Sequence, residues 1–223
     1  MNFRLSARRT FLRGAAIGIG ALSTTQHLAL AADDRVNVIG PKTGYSPQIG
    51  TLVSMLTWMQ RQVEASAHGL TQAQLDHQLD DHSNSIGALL LHLAATETYY
   101  SLHTFNGMKW GGWPESVAKK WDAAMNLGQA GRDTIKGHDL AYYFNALREV
   151  RENSLAEFRK RDDAWLLSVD EKWGWGPTNN YCKWFHVCEH ESHHAGQIAL
   201  LASRVPGRST RRSFILPVAD TGM

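Results

Sequence analysis

The chain has 223 residues, 43% of them apolar, with 23 basic and 21 acidic residues. That is enough for one globular domain with a full core. The modest basicity is concentrated at the N-terminus: residues 1–31 carry four arginines and no acids, so without them the balance is 19 basic against 21 acidic residues, a charge of −2. That balance argues against nucleic acid as a partner.

Ser6-Ala7-Arg8-Arg9-Thr10-Phe11-Leu12-Arg13 is a twin-arginine run, followed by a short apolar stretch from Gly14 to Leu22 and small residues ending Ala29-Leu30-Ala31. The pattern is that of a Tat export signal with cleavage near Ala31, and it predicts a periplasmic or secreted protein. The apolar stretch is too short to span a bilayer, so no membrane span is expected once the signal is removed. Tat cargo crosses already folded, often with a cofactor in place, which suits a metalloprotein.

Residues 32–45 read as an exposed lead-in and 46–204 as the folded domain. Residues 205–223 read as a solvated tail with Arg208, Arg211 and Arg212. Within the domain, four stretches have apolar residues spaced by three and four, the helical period. The first starts at Ser46-Pro47, runs through Ile49, Leu52, Val53, Leu56, Met59 and Val63, and stops at Gly69. The second starts at Asn84 or Ser85 and runs through Ile86, Leu89, Leu90 and Leu93 to Tyr100. The third starts at Asp139 and uses Leu140, Tyr143, Phe144, Leu147, Val150, Leu155 and Phe158. The fourth follows Pro177, capped by Thr178 or Asn179, and runs through Trp184, Val187, Ile198 and Leu201 to Pro206-Gly207.

Alternating patterns are nearly absent, so the expected fold is an all-α, four-helix up-and-down bundle. A long loop, residues 106–137, is expected before the third helix. That loop holds Trp110, Gly111, Gly112, Trp113 and Trp121, and the segment 170–177 holds Trp173 and Trp175. These tryptophans either form a binding loop or lid, or cap the open ends of the bundle. Cys182 and Cys188 fall on one helix, about 9 Å apart along its axis, so no disulfide between them is expected.

The chemistry is concentrated in the fourth helix. His190 and His194 stand one turn apart on one face, so both imidazoles can reach a single ion. Val187, Ile198 and Leu201 continue that face, which is therefore expected to be the buried one. His92 lies in the apolar run Leu89-Leu90-Leu91-His92-Leu93 and is the best-placed third ligand. Three protein ligands leave coordination positions open, the arrangement of a catalytic site.

His190-Glu191-Ser192-His193-His194 also matches the HExxH zinc-protease helix, with Glu191 as general base. Downstream of His194, however, the only acid is Asp220 and there is no histidine, so a protease's third ligand is missing. His186 and His193 are expected at the surface, although one of them can line a pocket. Glu97 is either a residue that orients a ligand or, more in keeping with its position, a surface charge. Gln197, one turn beyond His194, is placed to hydrogen-bond near the metal.

Two of these segments together resemble the DinB/YfiT-like proteins. Asn84-Ser85-Ile86-Gly87-Ala88-Leu89-Leu90-Leu91-His92 with Glu97 is similar to their first histidine motif. His190 to Gln197 is similar to the second, with Ala195 where arginine is usual. The resemblance covers about residues 46–204. It implies a four-helix bundle that binds a divalent metal, zinc or nickel, through His92, His190 and His194, and in which homodimers are common. It implies thiol-dependent S-transferase or isomerase chemistry on a small molecule that the sequence does not identify. Metal-dependent hydrolysis is the adjacent possibility, and a non-catalytic metal-binding or partner-binding module is the alternative from a different class.

Overall fold

The computed structural model describes residues 36–208. The twin-arginine segment and the end of the C-terminal tail, including Arg211 and Arg212, lie outside the described residues.

Helix α1 spans Pro47–Ala67. Ser46 precedes it with proline at the first helical position, as the sequence suggests, but Ser46 does not cap the helix with its own side chain. The cap comes from a distant carboxylate. Asp163 Oδ1 accepts from the Ser46 hydroxyl at 2.5 Å and from the Gln48 N–H at 3.1 Å, satisfying donors that the first turn leaves open. A short helix α2, Gln72–Leu75, follows, with a capping box between Thr71 and Gln74.

Helix α3, Ile86–Asn106, starts on Ser85, whose hydroxyl accepts from Ala88 N–H at 3.2 Å, and stops at Gly107, which adopts the left-handed conformation. The segment expected to be a long loop instead contains two helices, α4 over Glu115–Asn126 and α5 over Gly128–Thr134. The cluster Trp110-Gly111-Gly112-Trp113 that suggested a loop lies ahead of these helices, whereas Trp121 sits within α4 and Gly128 and Gly131 within α5. Beyond the cluster, Trp121 and Ala124 are buried against α3, with Val117 and Met125 packed beside them, so α4 is an amphipathic helix whose apolar face tertiary packing stabilises. Leu127 joins α4 to α5 at φ 54°, a conformation that costs a non-glycine residue about 1–3 kcal/mol and must be imposed by its surroundings.

Helix α6, Leu140–Phe158, is capped by Asp139, whose carboxylate accepts from Tyr142 N–H at 2.9 Å. The short α7, Asp163–Leu167, leads into a two-stranded hairpin, β1 Val169–Asp170 and β2 Thr178–Asn179, antiparallel with Val169 opposite Asn179. Helix α8, Asn180–Ala202, follows at once, capped by Asn179 on Cys182 N–H at 2.8 Å. Cys182 and Cys188 both lie on it as free thiols, one exposed and one buried.

Helices α1, α3, α6 and α8 pack as the bundle, with α8 against α1 and α3, and α6 against α3. Two apolar clusters hold it together. One gathers Leu89, Leu93, Tyr143, Leu147 and Ile198; the other gathers Ile49, Leu52, Leu56, Phe158 and Trp184. Each such fully buried side chain contributes about 1.5–3 kcal/mol, enough in sum to tolerate a polar centre between the helices. The core extends past residue 204, since Val205 is buried against the first cluster.

Candidate metal centre

Helix α3 brings His92, and helix α8 brings His190 and His194, to one place. One nitrogen from each ring lies within 4.8 Å of the others. His92 Nε2 and His190 Nε2 are 2.8 Å apart. The ring centroids of His92 lie 4.9 Å from both other rings, and those of His190 and His194 lie 4.5 Å apart. Three imidazoles this close form a group that can hold one metal ion.

The neighbours decide which nitrogen each ring presents. His92 Nδ1–H donates to the Ala124 carbonyl near the end of α4 at 2.9 Å, which leaves its Nε2 with a free lone pair. His194 Nδ1–H donates to Gln197 Oε1 at 2.8 Å, with the same result. Such outer contacts set the tautomer and aim the ring, as in histidine-ligated metal sites generally. Burial also keeps the rings neutral. It pushes His190 down to about 3, helped by the crowding of His194, His92 and the other nearby imidazoles, and pushes His194 down to about 4. His92 is lowered by the same cause, against the pull of its bond to Ala124. Unprotonated imidazoles that face one another are the donor set a divalent ion of borderline softness takes.

The pair His190/His194 does not sit at the centre of the buried stripe, as its apolar flanks suggest. Both rings are half-buried. The fully buried line of α8 runs through Trp184, Val187, Glu191 and Ile198. Rotation by one residue therefore puts Glu191, not the histidines, at the heart of the bundle, and leaves His190 and His194 half-buried beside the buried His92.

Glu191 meets Arg151 there, with Nη2 donating to Glu191 Oε1 at 2.8 Å. The same guanidinium holds Glu97 through Nε at 2.9 Å and Nη2 at 3.0 Å, and donates to the Leu56 carbonyl at 2.6 Å. Arg151, Glu97 and Glu191 are 4%, 2% and 3% exposed. Glu97 is therefore no surface charge; it is half of a planar bidentate pair. One arginine on α6 ties together α1, α3 and α8, the last two being the helices that carry the histidines.

Two carboxylates share that single guanidinium. Burial pushes Glu191 up to about 7 against the pull of Arg151, and its Oε2 has no hydrogen-bond partner. Burial by itself would lower Arg151, but the two carboxylates outweigh it and raise its pKa. Locked in this network, Glu191 is not free to act as the general base of an HExxH protease, and the third histidine comes from upstream.

Sequence reasoning missed Arg151, because in the charged run Arg148-Glu149-Val150-Arg151-Glu152 of an amphipathic helix it reads as a surface residue. It also missed the Ala124 carbonyl, which α4 supplies. His193 is exposed, as expected. His186 is half-buried. Its ring lies 5.6 Å from His190 and 5.0 Å from Trp175.

Fold and site together define the class. A bundle with one histidine on its second long helix and an i, i+4 pair on its last is the arrangement of the DinB/YfiT-like superfamily, to which the family match assigns the chain. Within it, the model of the mycothiol S-transferase family matches residues 51–207, and the chain belongs to that family. Among solved structures, the crystal structure of a conserved protein from Enterococcus faecalis is similar in fold. Its TM-score is 0.54 at 14% identity, over 70% of this chain and 96% of that one. No curated protein matches the chain. Among the described residues, no helix is long and apolar enough to cross a membrane.

Proposed function

We propose that this chain is an exported, metal-dependent thiol S-transferase whose ion, zinc or nickel, is held by His92, His190 and His194. The convergence of three neutral imidazoles from α3 and α8, in a member of the mycothiol S-transferase family, carries the reading. Three protein ligands leave room for a further one, and a divalent ion lowers the pKa of a bound thiol and holds the thiolate as nucleophile. With such an ion bound, the thiol would give up its proton to solvent, and the sulfur would form a bond to an electrophilic carbon of a small molecule as the leaving group departs with its electron pair.

The chain's own part is positional. Ala124 and Gln197 turn the lone pairs of His92 and His194 inward. Arg151 holds α3 and α8 in register through Glu97 and Glu191. Transfer is favoured over hydrolysis by the state of Glu191. It is the acid that the HExxH pattern offers as general base for a metal-held water, and it is engaged with Arg151 instead.

Metal analysis of the purified, reconstituted protein beside His92→Ala and His190→Ala tests the site. Stoichiometric metal in the wild type and little in either variant is expected; no metal in the wild type overturns it. A screen of electrophiles with and without added low-molecular-weight thiols tests the reaction. Turnover that needs no thiol refutes transfer and turns the reading to hydrolysis. Export rests on Arg8-Arg9 with the apolar stretch behind them, and Arg8→Lys/Arg9→Lys is expected to hold the protein in the cytoplasm. A homodimer is proposed as its assembly state; light scattering at the monomer mass would refute that.

A further inference from the structure

The two tryptophan-bearing segments, far apart in sequence, meet beside Tyr100 of α3 and His186 of α8. Trp110, just after α3, lies 5.1 Å from Trp173 in the hairpin loop, at an interplanar angle of 85°. Trp110 and Trp173 both pack on Tyr100 of α3, at 5.1 and 6.1 Å. Trp175 stands at 87° to Trp173 and touches His186, which in turn touches His190. His186, His190 and His194 follow one another at four-residue spacing on α8, so the aromatic wall continues the same helix face as the metal group.

Capping the bundle end accounts for Trp173, which packs partly buried on the core cluster of Phe158 and Trp184, but not for the outer rings of the wall. The rings at the centre of the core are covered: Trp184 and Phe158 are 0% exposed and Trp121 is 6%. Trp175 is 56% exposed and Trp110 is 37%. An edge-to-face arrangement uses a ring edge against a neighbour's face, and at Trp110 and Trp175 it leaves ring surface open to solvent. Exposed aromatic area two ring contacts from a metal-ligand histidine is what a small-molecule pocket provides to an apolar ligand.

We infer that Trp110, Trp175 and His186 form the binding wall for the electrophilic substrate, and that this substrate carries a flat aromatic group which lies on the wall while its reacting carbon reaches the histidines. The inference rests on the proposed function and names the substrate class of that site.

The test is equilibrium binding of 2-naphthylmethanol, an unreactive flat probe, to the full chain loaded with cobalt(II), beside its saturated decalin counterpart. NMR is expected to show the naphthyl probe binding about five- to tenfold tighter than the decalin, with its protons broadened by the cobalt. Trp175→Ala, at an exposed loop position, is expected to lose about that factor without changing metal affinity or the melting temperature. Equal binding of the two probes overturns the aromatic preference. Binding without cobalt broadening puts the probe away from the metal group and overturns the substrate-wall assignment, as does full affinity in Trp175→Ala. If the chain takes up no cobalt, the proposed function fails first, and naphthyl binding to the metal-free protein still reports whether the wall exists.

Discussion

Replacing Arg151 with methionine leaves two carboxylates, each under 4% exposed, without their cation. Methionine fills a similar volume without adding charge, so the cost is electrostatic. At least one of the two acids must then be held protonated. An ordinary glutamate has a pKa near 4.3, so holding it protonated at pH 7 costs about 3.7 kcal/mol, and at pH 5 about 1 kcal/mol. Glu191, already raised to about 7, adds little to this. The Leu56 carbonyl, which accepts from Arg151 at 2.6 Å, loses that partner for roughly another 1 kcal/mol at either pH. The expected loss is about 4–5 kcal/mol at pH 7, shrinking to about 2 kcal/mol at pH 5, within the range for breaking one side of a buried ion pair. Urea titrations of the metal-free wild type and Arg151→Met at both pH values measure it, and titration of the histidines cancels in the difference. Adding Glu97→Gln and Glu191→Gln to the same background is expected to recover most of the loss. A cost below about 1 kcal/mol at pH 7, or one that does not fall on acidification, refutes the view that this network is a buried and under-compensated charge cluster.

Gln197→Ala frees His194 from the bond that sets its tautomer, and is expected to weaken metal binding by about 10- to 100-fold; unchanged affinity against a competing chelator removes that role. The metal-free protein is expected to gain stability as pH rises from 4.5 to 6.5. His190 and His194 are depressed to about 3 and 4 from an ordinary 6.5, so their contribution is complete above 6.5 and is lost as pH falls through those values. Glu191 works the other way: its contribution is present below 4.5 and is lost as pH rises through about 7. Two histidines outweigh one glutamate across the window, and a flat or falling urea midpoint there would contradict the assignment. Gly87→Ala is expected to cost about 1–3 kcal/mol, because a Cβ at that position meets the Tyr143 ring at 2.6 Å and Tyr143 is fully buried; an unchanged melting temperature would show that the ring has room to move.

Much of this protein is local and therefore legible in its sequence. Ser85, Asp139 and Asn179 start helices because a side-chain oxygen reaches a backbone N–H three residues on, and nothing distant is needed. The i, i+4 spacing of His190 and His194 puts both rings on one side of a helix wherever that helix sits. His92 could be paired with them because a neutral imidazole in an apolar run needs a partner and few others were on offer. Three things were decided only when the helices packed. The rotation of α8 put Glu191 inward and left the histidine pair half-buried, since one residue is 100° of turn and apolar flanks cannot resolve that. Arg151, a charged residue in an amphipathic helix, became the buried tie between Glu97 and Glu191, a contact that spans 54 residues on one side and 40 on the other. Helix α4, hidden in a glycine- and tryptophan-biased stretch, supplied the carbonyl that aims His92. Each of these is a long-range pairing of charge or hydrogen-bonding groups, and its energy comes from burial that no local pattern encodes.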